Sequence, residues 1–100
     1  MNSIQQMVRE LGIPSHLRGY EYLTDAIDIV RKDATALENV NESLYPRIAE
    51  KFETTPLRVE RAIRHSIEIA CCRGNSTLSE EDSKLSNAQF IALISQRVQN

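Results

Sequence analysis

Hydrophobic residues recur at intervals of three and four along most of this chain, the spacing that places them on one side of an α-helix. The first series spans residues 2–11 and is closed by Gly12. The second begins at about Tyr20 and fades over residues 34–38, with residues 15–19 as the connector. The pattern therefore predicts two helices in the N-terminal part of the chain.

Residues 44–75 predict a short helix, a turn and a longer helix. Residues 39–42 supply capping groups for the short helix, and Pro46 must occupy an early turn of it or cause a kink. The buried face of this short helix is expected to comprise Leu44, Ile48, Ala49 and Phe52. Residues 53–55 form a turn short enough to hold two helices at a steep angle, which is the geometry of a helix-turn-helix.

The longer helix is bounded by recognisable start and stop residues. Thr55 offers a side-chain oxygen directly before Pro56, and proline fits the first helical position. Gly74 and Asn75 follow Arg73, so the helix should end near Cys72 or Arg73. One side of the helix is apolar enough to be buried and holds Val59, Ala62, Ile63, Ser66, Ile67, Ile69 and Ala70.

The C-terminal quarter contains a polar stretch and a final helix. Residues 76–84 are polar and acidic and predict a loop or a frayed helix. Ser86 and Gln89 form a capping-box pattern, followed by a packing face of Phe90, Ile91, Ile94 and Val98. With 100 residues and 41% hydrophobic content, the chain predicts one all-α domain over residues 1–100, a compact bundle of about five to six helices with a helix-turn-helix at about 44–73.

The polar side of the longer helix is the strongest candidate for a functional surface. It carries Arg58, Glu60, Arg61, Arg64 and His65, with Leu57 as its one apolar residue. A charged arc is most often simply solvated, and that alternative stays open. DNA contact is favoured because the arginines lie in the N-terminal half of the helix, suit bidentate bonding to guanine and follow a short helix and turn.

These side chains can be given provisional roles in reading a DNA major groove. Arg58 and Arg61 could donate to guanine O6 and N7, and Glu60 could accept from a cytosine amino group. Arg64 and His65 would contact phosphate or further bases. Glu60 has a second interpretation, an intrahelical ion pair with Arg64 four residues on.

Lower-ranked candidates would contact the DNA backbone. Arg18 and Gly19 lie at the start of the second helix, where N–H groups can bind phosphate, although the residues alone favour an ordinary interhelix turn. Arg47 and Lys51 share a face of the short helix and could meet phosphates or be solvated. Thr55, at the start of the longer helix, completes this set.

The charge distribution favours site-specific binding over nonspecific coating of nucleic acid. The formal net charge of the chain is −2, but residues 44–75 hold six Lys or Arg against four Glu, a local charge of +2 that leaves −4 elsewhere. A slightly basic surface on an acidic body predicts a moderate salt dependence of binding. The affinity of this domain for DNA would then depend on dimerisation or on adjacent binding sites in the DNA.

Other functional classes find little support in the sequence. The adjacent Cys71 and Cys72 are the only cysteines, so they suit neither a four-ligand zinc site nor an ordinary disulfide and are expected to be reduced packing residues. No glycine-rich phosphate loop, metal-ligand spacing or nucleophile with a base is present, so we expect no enzyme, cofactor or metal. Without a signal peptide or membrane span in this sequence, a cytoplasmic location is expected.

The stretch LYPRIAEKFETTPLRVERAIRHSIEIACCRGN, with LGIPSHLRGYEYL upstream and NAQFIALI downstream, resembles a known family. It is similar to the C-terminal DNA-binding effector domain of the stage zero sporulation protein A family, response-regulator transcription factors of endospore-forming bacteria. RVERAIRH is the most specific portion, and IPSHLRGY is a second match. The resemblance implies a sequence-specific regulator of transcription that binds double-stranded DNA of the TGTCGAA type, with a homodimer on DNA as an option and Arg18 near the DNA backbone.

Two departures from the family pattern leave alternatives open. Residues 76–85 are shorter and more acidic than the insertion that gives the family an additional helix and contacts with RNA polymerase, which puts a polymerase contact in doubt. No receiver domain precedes the effector in this sequence, which fits an excised fragment or a stand-alone effector. The rival interpretation is a protein-interaction module that antagonises a full-length relative through mixed dimers without binding DNA itself.

Overall fold

Five α-helices make up most of the computed structural model, which describes residues 3–73, 82 and 84–97. They are α1 (Ser3–Glu10), α2 (Arg18–Lys32), α3 (Tyr45–Lys51), α4 (Pro56–Arg73) and α5 (Asn87–Arg97). A 3₁₀ turn (Ala34–Leu37) and a π-helical turn (Val40–Leu44) lead from α2 to α3. The described residues contain no β-strand, which confirms the predicted all-α class.

The core is built around α2, which contacts each of the other four helices. Its side chains Leu23, Ala26 and Ile27 are completely buried. The predicted apolar side of α4 is also buried, with Val59, Ile63, Ile67 and Ala70 inaccessible to solvent. Burial of these residues fixes the rotation of α4 about its own axis, so its polar side is held outward. Cys71 lies half-buried against the same core.

Gly19 permits the close approach of α2 to α4. A Cβ atom at this position would lie 1.9 Å from Ser66 Oγ and 2.4 Å from the carbonyl oxygen of Ala62, both on α4. No larger residue fits without movement of one helix. Gly19 is therefore a buried packing residue inside α2, where the sequence predicted a connector.

Most predicted helix boundaries agree with the structure to within two residues. The helix α2 begins at Arg18 rather than near Tyr20, because Leu17 is extended and its carbonyl oxygen already accepts the Tyr20 N–H over 3.1 Å. The Ser86–Gln89 capping box is present, with Gln89 N–H donating to Ser86 Oγ over 3.1 Å and Ser86 N–H to Gln89 Oε1 over 2.9 Å. The predicted acidic loop falls largely on residues 74–81 and 83, outside the described residues, as does Val98.

Candidate nucleic-acid interface

The turn between α3 and α4 is held by backbone and side-chain hydrogen bonds. Glu53 adopts a left-handed conformation with φ of 54°, and the Thr54 N–H donates to the carbonyl oxygen of Ala49 over 2.9 Å. At the start of α4, Arg58 N–H donates to Thr55 Oγ1 over 3.3 Å, which confirms the predicted cap. A short helix, a tight turn and a long capped helix thus follow one another, an arrangement consistent with a helix-turn-helix.

The five candidates on α4 do not share one environment. Arg58, Arg61 and His65 are exposed. Glu60 and Arg64 are half-buried. The structure therefore places three of the five predicted groups where a duplex could reach them directly.

Arg64 is engaged with the segment that precedes α5. Its Nη1 donates to the carbonyl oxygen of Leu85 over 2.7 Å, and its Nε lies 3.9 Å from Glu68 Oε2 on the next turn of α4. Only 27% of the Arg64 side chain is exposed. The guanidinium group of Arg64 thus links α4 to the start of α5, an interaction that the sequence does not reveal because Leu85 is 21 residues away.

A second link between α4 and α5 involves the backbone of Glu60. The Asn87 Nδ2 donates to the Glu60 carbonyl oxygen over 3.1 Å, and Asn87 itself is buried. These residues border a hollow of about 350 Å³ that is also lined by Tyr45. Burial raises the pKa of the Tyr45 phenol, and the negative charge of Glu60 acts in the same direction. Both effects favour the neutral phenol.

The structure brings Arg18 of α2 and Arg58 of α4 to the same hollow. This hollow has a volume of about 270 Å³ and is also lined by Glu53 and Thr54 of the turn. Leu17, the residue before α2, supplies no side-chain cap to the first N–H groups of the helix. Two arginines and an uncapped helix start are the groups that bind phosphate, so this is the strongest candidate for a backbone contact.

The cations of α3 are paired with one carboxylate in the middle of α2 and one directly after its end. Lys51 Nζ lies 2.7 Å from Asp25 Oδ1 and 5.6 Å from the centre of the Phe52 ring. The hydrogen bond from Lys51 to Asp25 raises the pKa of the Lys51 ammonium. Arg47 Nη2 lies 3.4 Å from Asp33 Oδ2. Both remain accessible, but each would approach phosphate with a neutralising partner beside it.

Leu57 is a large hydrophobic residue whose side chain is mostly exposed to solvent. Its side chain is 56% exposed, and it is the only large hydrophobic residue so exposed in residues 3–73, 82 and 84–97. The sequence marks it as the apolar exception on the polar side of α4. It lies in the first turn, between Pro56 and Arg58.

The described part of the chain shows neither a metal-binding cluster nor a membrane-spanning helix. No three His, Cys, Asp or Glu side chains among the described residues are grouped so that they could hold a metal ion. None of the helices in that part is both long and apolar enough to pass through a membrane.

An exposed, arginine-bearing helix that follows a short helix and turn, with a basic hollow beside it, is typical of DNA-binding regulatory domains. Residues 4–98 match the family described as sporulation initiation factor Spo0A C terminal. The chain belongs to this family, the DNA-binding effector region of a sporulation response regulator. It is a regulatory family and not a family of enzymes.

Proposed function

We propose that this domain is a sequence-specific regulator of transcription that reads the major groove with α4. The observation that carries the proposal is that Arg58, Arg61 and His65 are exposed on a helix whose opposite side is locked in the core. A helix held in this way presents its side chains in a fixed register, which direct readout of base edges requires. Such a regulator works in the cytoplasm, where bacterial DNA is found.

In this proposal the first two turns of α4 meet the bases. Arg58 and Arg61 donate to guanine O6 and N7, and Glu60 accepts from a cytosine amino group. His65, one turn after Arg61, contacts phosphate or a further base. We assign Arg64 primarily to holding the residues before α5, so that it supports the orientation of α4 and only then contributes to the DNA contact.

The backbone contacts of the proposal flank α4. Arg18 and Arg58 bind one phosphate in the hollow that both of them line, and Thr55, which precedes α4, adds a further backbone contact. Gly19 contributes by letting α2 lie close to α4, which brings Arg18 within reach. Arg47 and Lys51 are accessory contacts whose positive charge is partly offset by Asp33 and Asp25.

The proposal includes dimerisation on DNA, because this surface presents few exposed cations. One copy neutralises few phosphates, so its affinity alone would be modest, and two copies on adjacent half-sites would add their contacts. Sedimentation of the domain with a duplex should give two protein chains per DNA. A polymerase contact through residues 76–85 is not part of this proposal.

The test is a fluorescence anisotropy titration of a TGTCGAA-containing duplex and a scrambled duplex at two salt concentrations. Replacing Arg61 by alanine should cost about 1–3 kcal/mol on the specific duplex and relax discrimination at one base pair. Replacing Lys51 by alanine should weaken both duplexes similarly. Arg31→Ala is the matched control, because Arg31 is exposed at the far end of α2, roughly 20 Å along the helix from Arg18.

The outcomes separate the proposal from its rival. Equal loss of specific and random binding in the Arg61 and Lys51 variants would overturn direct readout. Absence of any DNA binding, together with a stable complex with a full-length relative, would favour the protein-interaction module. The low net charge of −2 is the observation that makes this second function worth testing.

A further inference from the structure

The first turn of α4 offers an apolar group as well as cations to a bound partner. Leu57 is 56% exposed. Its backbone is fixed, because the preceding residue is Pro56 and the flanking Thr55 accepts the Arg58 N–H through its hydroxyl and the Val59 N–H through its carbonyl oxygen. The exposed leucine therefore projects from an ordered turn.

The position of Leu57 relative to the proposed reading residues is set by the helix period. Leu57 lies one turn before Arg61 and on the same side of α4, and it is three residues before Glu60. The fully buried Val59 and Ile63 define the opposite side. Leu57 thus belongs to the surface that enters the groove rather than to the one that packs on α2.

We infer that Leu57 is a specificity-determining residue that packs on the C5-methyl group of a thymine next to the bases read by Arg58 and Arg61. This inference rests on the proposed function. The thymine methyl is the apolar group on the major-groove edge, and contact with an apolar side chain removes both surfaces from water. Arginine and glutamate read hydrogen-bonding edges, so a leucine beside them adds information that they do not supply.

The experiment removes one methyl group at a time from the DNA. The wild-type domain first selects its preferred duplex from a random library. Each thymine of that duplex is then replaced singly by deoxyuridine, and the dissociation constant is measured for the wild type, Leu57→Ala and Leu57→Met. Methionine preserves the apolar contact and serves as the matched variant. Because Leu57 is exposed, both variants should unfold at the wild-type temperature.

One replacement should weaken wild-type binding about fourfold, the value of one buried methyl or methylene group. Leu57→Met should keep most of this sensitivity, and Leu57→Ala should lose it while binding the parent duplex more weakly. A wild type indifferent to every replacement, or a Leu57→Ala protein with unchanged sensitivity, would overturn the inference. If Leu57→Ala instead dissociates a dimer without changing methyl sensitivity, Leu57 contacts a second copy and the inference is wrong.

The proposed function fails in a distinguishable way. In that case the wild-type library selection yields no preferred sequence, before any thymine is replaced. A preferred sequence that is insensitive to methyl removal leaves major-groove reading intact and rejects only the role of Leu57.

Discussion

Arg64 and Leu85 connect the exposed helix to the C-terminal part of the fold, through a hydrogen bond of 2.7 Å from Arg64 Nη1 to the Leu85 carbonyl oxygen. The bond spans 21 residues and joins the middle of α4 to the residues just before α5. With the bond from Asn87 to the Glu60 carbonyl, it fixes the start of α5 against α4. Arg64, which the sequence predicts to contact DNA, thus stabilises the packing of α5 against α4.

Replacing Arg64 by methionine tests whether this hydrogen bond stabilises the fold. The variant keeps the apolar stem but leaves the Leu85 carbonyl without its charged donor, so the free energy of unfolding should fall by about 1–3 kcal/mol. For a domain of this size each 1 kcal/mol lowers the melting temperature by roughly 4–8 °C. Thermal unfolding followed by circular dichroism measures the effect. Arg61→Met is the control and should unfold like the wild type, since Arg61 is exposed. Equal melting temperatures for all three proteins would refute the link.

A variant of Glu60 tests whether this residue reads a base, without a change in the fold. Replacing Glu60 by glutamine keeps the shape and removes the charge, so the preferred base should shift from cytosine toward adenine, which an amide binds in bidentate fashion. Selection from a library randomised at each position measures the shift. Glu38→Gln, an exposed glutamate outside α4, is the control and should leave the preference unaltered. If Glu60→Gln leaves the base preference unaltered, Glu60 does not read a base; the intrahelical ion pair with Arg64 is not the explanation in that case, since Arg64 contacts Glu68 and Leu85 in the structure.

Variants of Lys51 and Asp25 should change the affinity for DNA of any sequence in opposite directions. Lys51→Ala removes a cation and should lower affinity for specific and scrambled duplexes alike, with a salt slope smaller by about one. Asp25→Asn removes the carboxylate 2.7 Å from Lys51 and should raise affinity for both duplexes. Asp28→Asn is the matched control, because it removes the same charge from a carboxylate that pairs with Lys32 at 3.3 Å and attracts Lys51 only weakly, without a hydrogen bond to it. Equal gains from both aspartate variants would show that net charge, and not Lys51, sets the affinity.

The helices and their buried faces could be predicted because they depend on local spacing. Thr55 and Pro56 start α4, and Ser86 with Gln89 starts α5, through contacts within one turn of the chain. The surroundings of the polar groups could not be predicted, because they depend on how distant helices meet. The bond from Arg64 to Leu85 is of this kind.

The role of Gly19 illustrates the same limit. The sequence predicts that Gly19 lies in a connector. Its lack of a side chain suits a turn or a phosphate contact as well as a crossing of two helices. Only the packing of α2 on α4 distinguishes these, with Ser66 Oγ and the Ala62 carbonyl oxygen occupying the space that a Cβ would need. A short polar connector and a buried helix crossing can therefore share one local sequence.

Replacing Gly19 by alanine should destabilise the domain despite the better helix propensity of alanine. Propensity alone would favour alanine by about 1 kcal/mol, but the two contacts of 1.9 and 2.4 Å force α2 and α4 apart, and overpacking of this kind costs about 1–3 kcal/mol. Urea unfolding measures the net loss. Adding Ser66→Ala removes the nearer atom and should recover part of the stability, while the Ala62 carbonyl remains. A Gly19→Ala protein as stable as the wild type would contradict the close approach.

The environment of Asp33 predicts that the stability of the folded domain depends on pH. Its carboxylate accepts from the Thr35 hydroxyl and from the Thr35 N–H over 3.1 Å, and lies 3.4 Å from Arg47. The hydrogen bond with the Thr35 side chain is the largest cause that lowers the pKa of Asp33 below 3.8, its ordinary value. A lowered pKa means that the folded state holds its proton less tightly than the unfolded state, so the contribution of Asp33 is present above pH 3.8 and is lost as the pH falls through the folded pKa.

Urea unfolding of the wild type and Asp33→Asn at a series of pH values measures this contribution. The difference in midpoint should be constant from pH 7 down to about pH 5 and should shrink below pH 3.8, where the wild-type carboxyl also becomes neutral. Thr35→Val removes the hydroxyl that lowers the pKa most, so in that background the loss should be smaller and should be complete at a higher pH. A midpoint difference that stays unchanged over the whole pH series would show that asparagine alters the 3₁₀ turn by its shape, because protonation of Asp33 would then have no effect on stability.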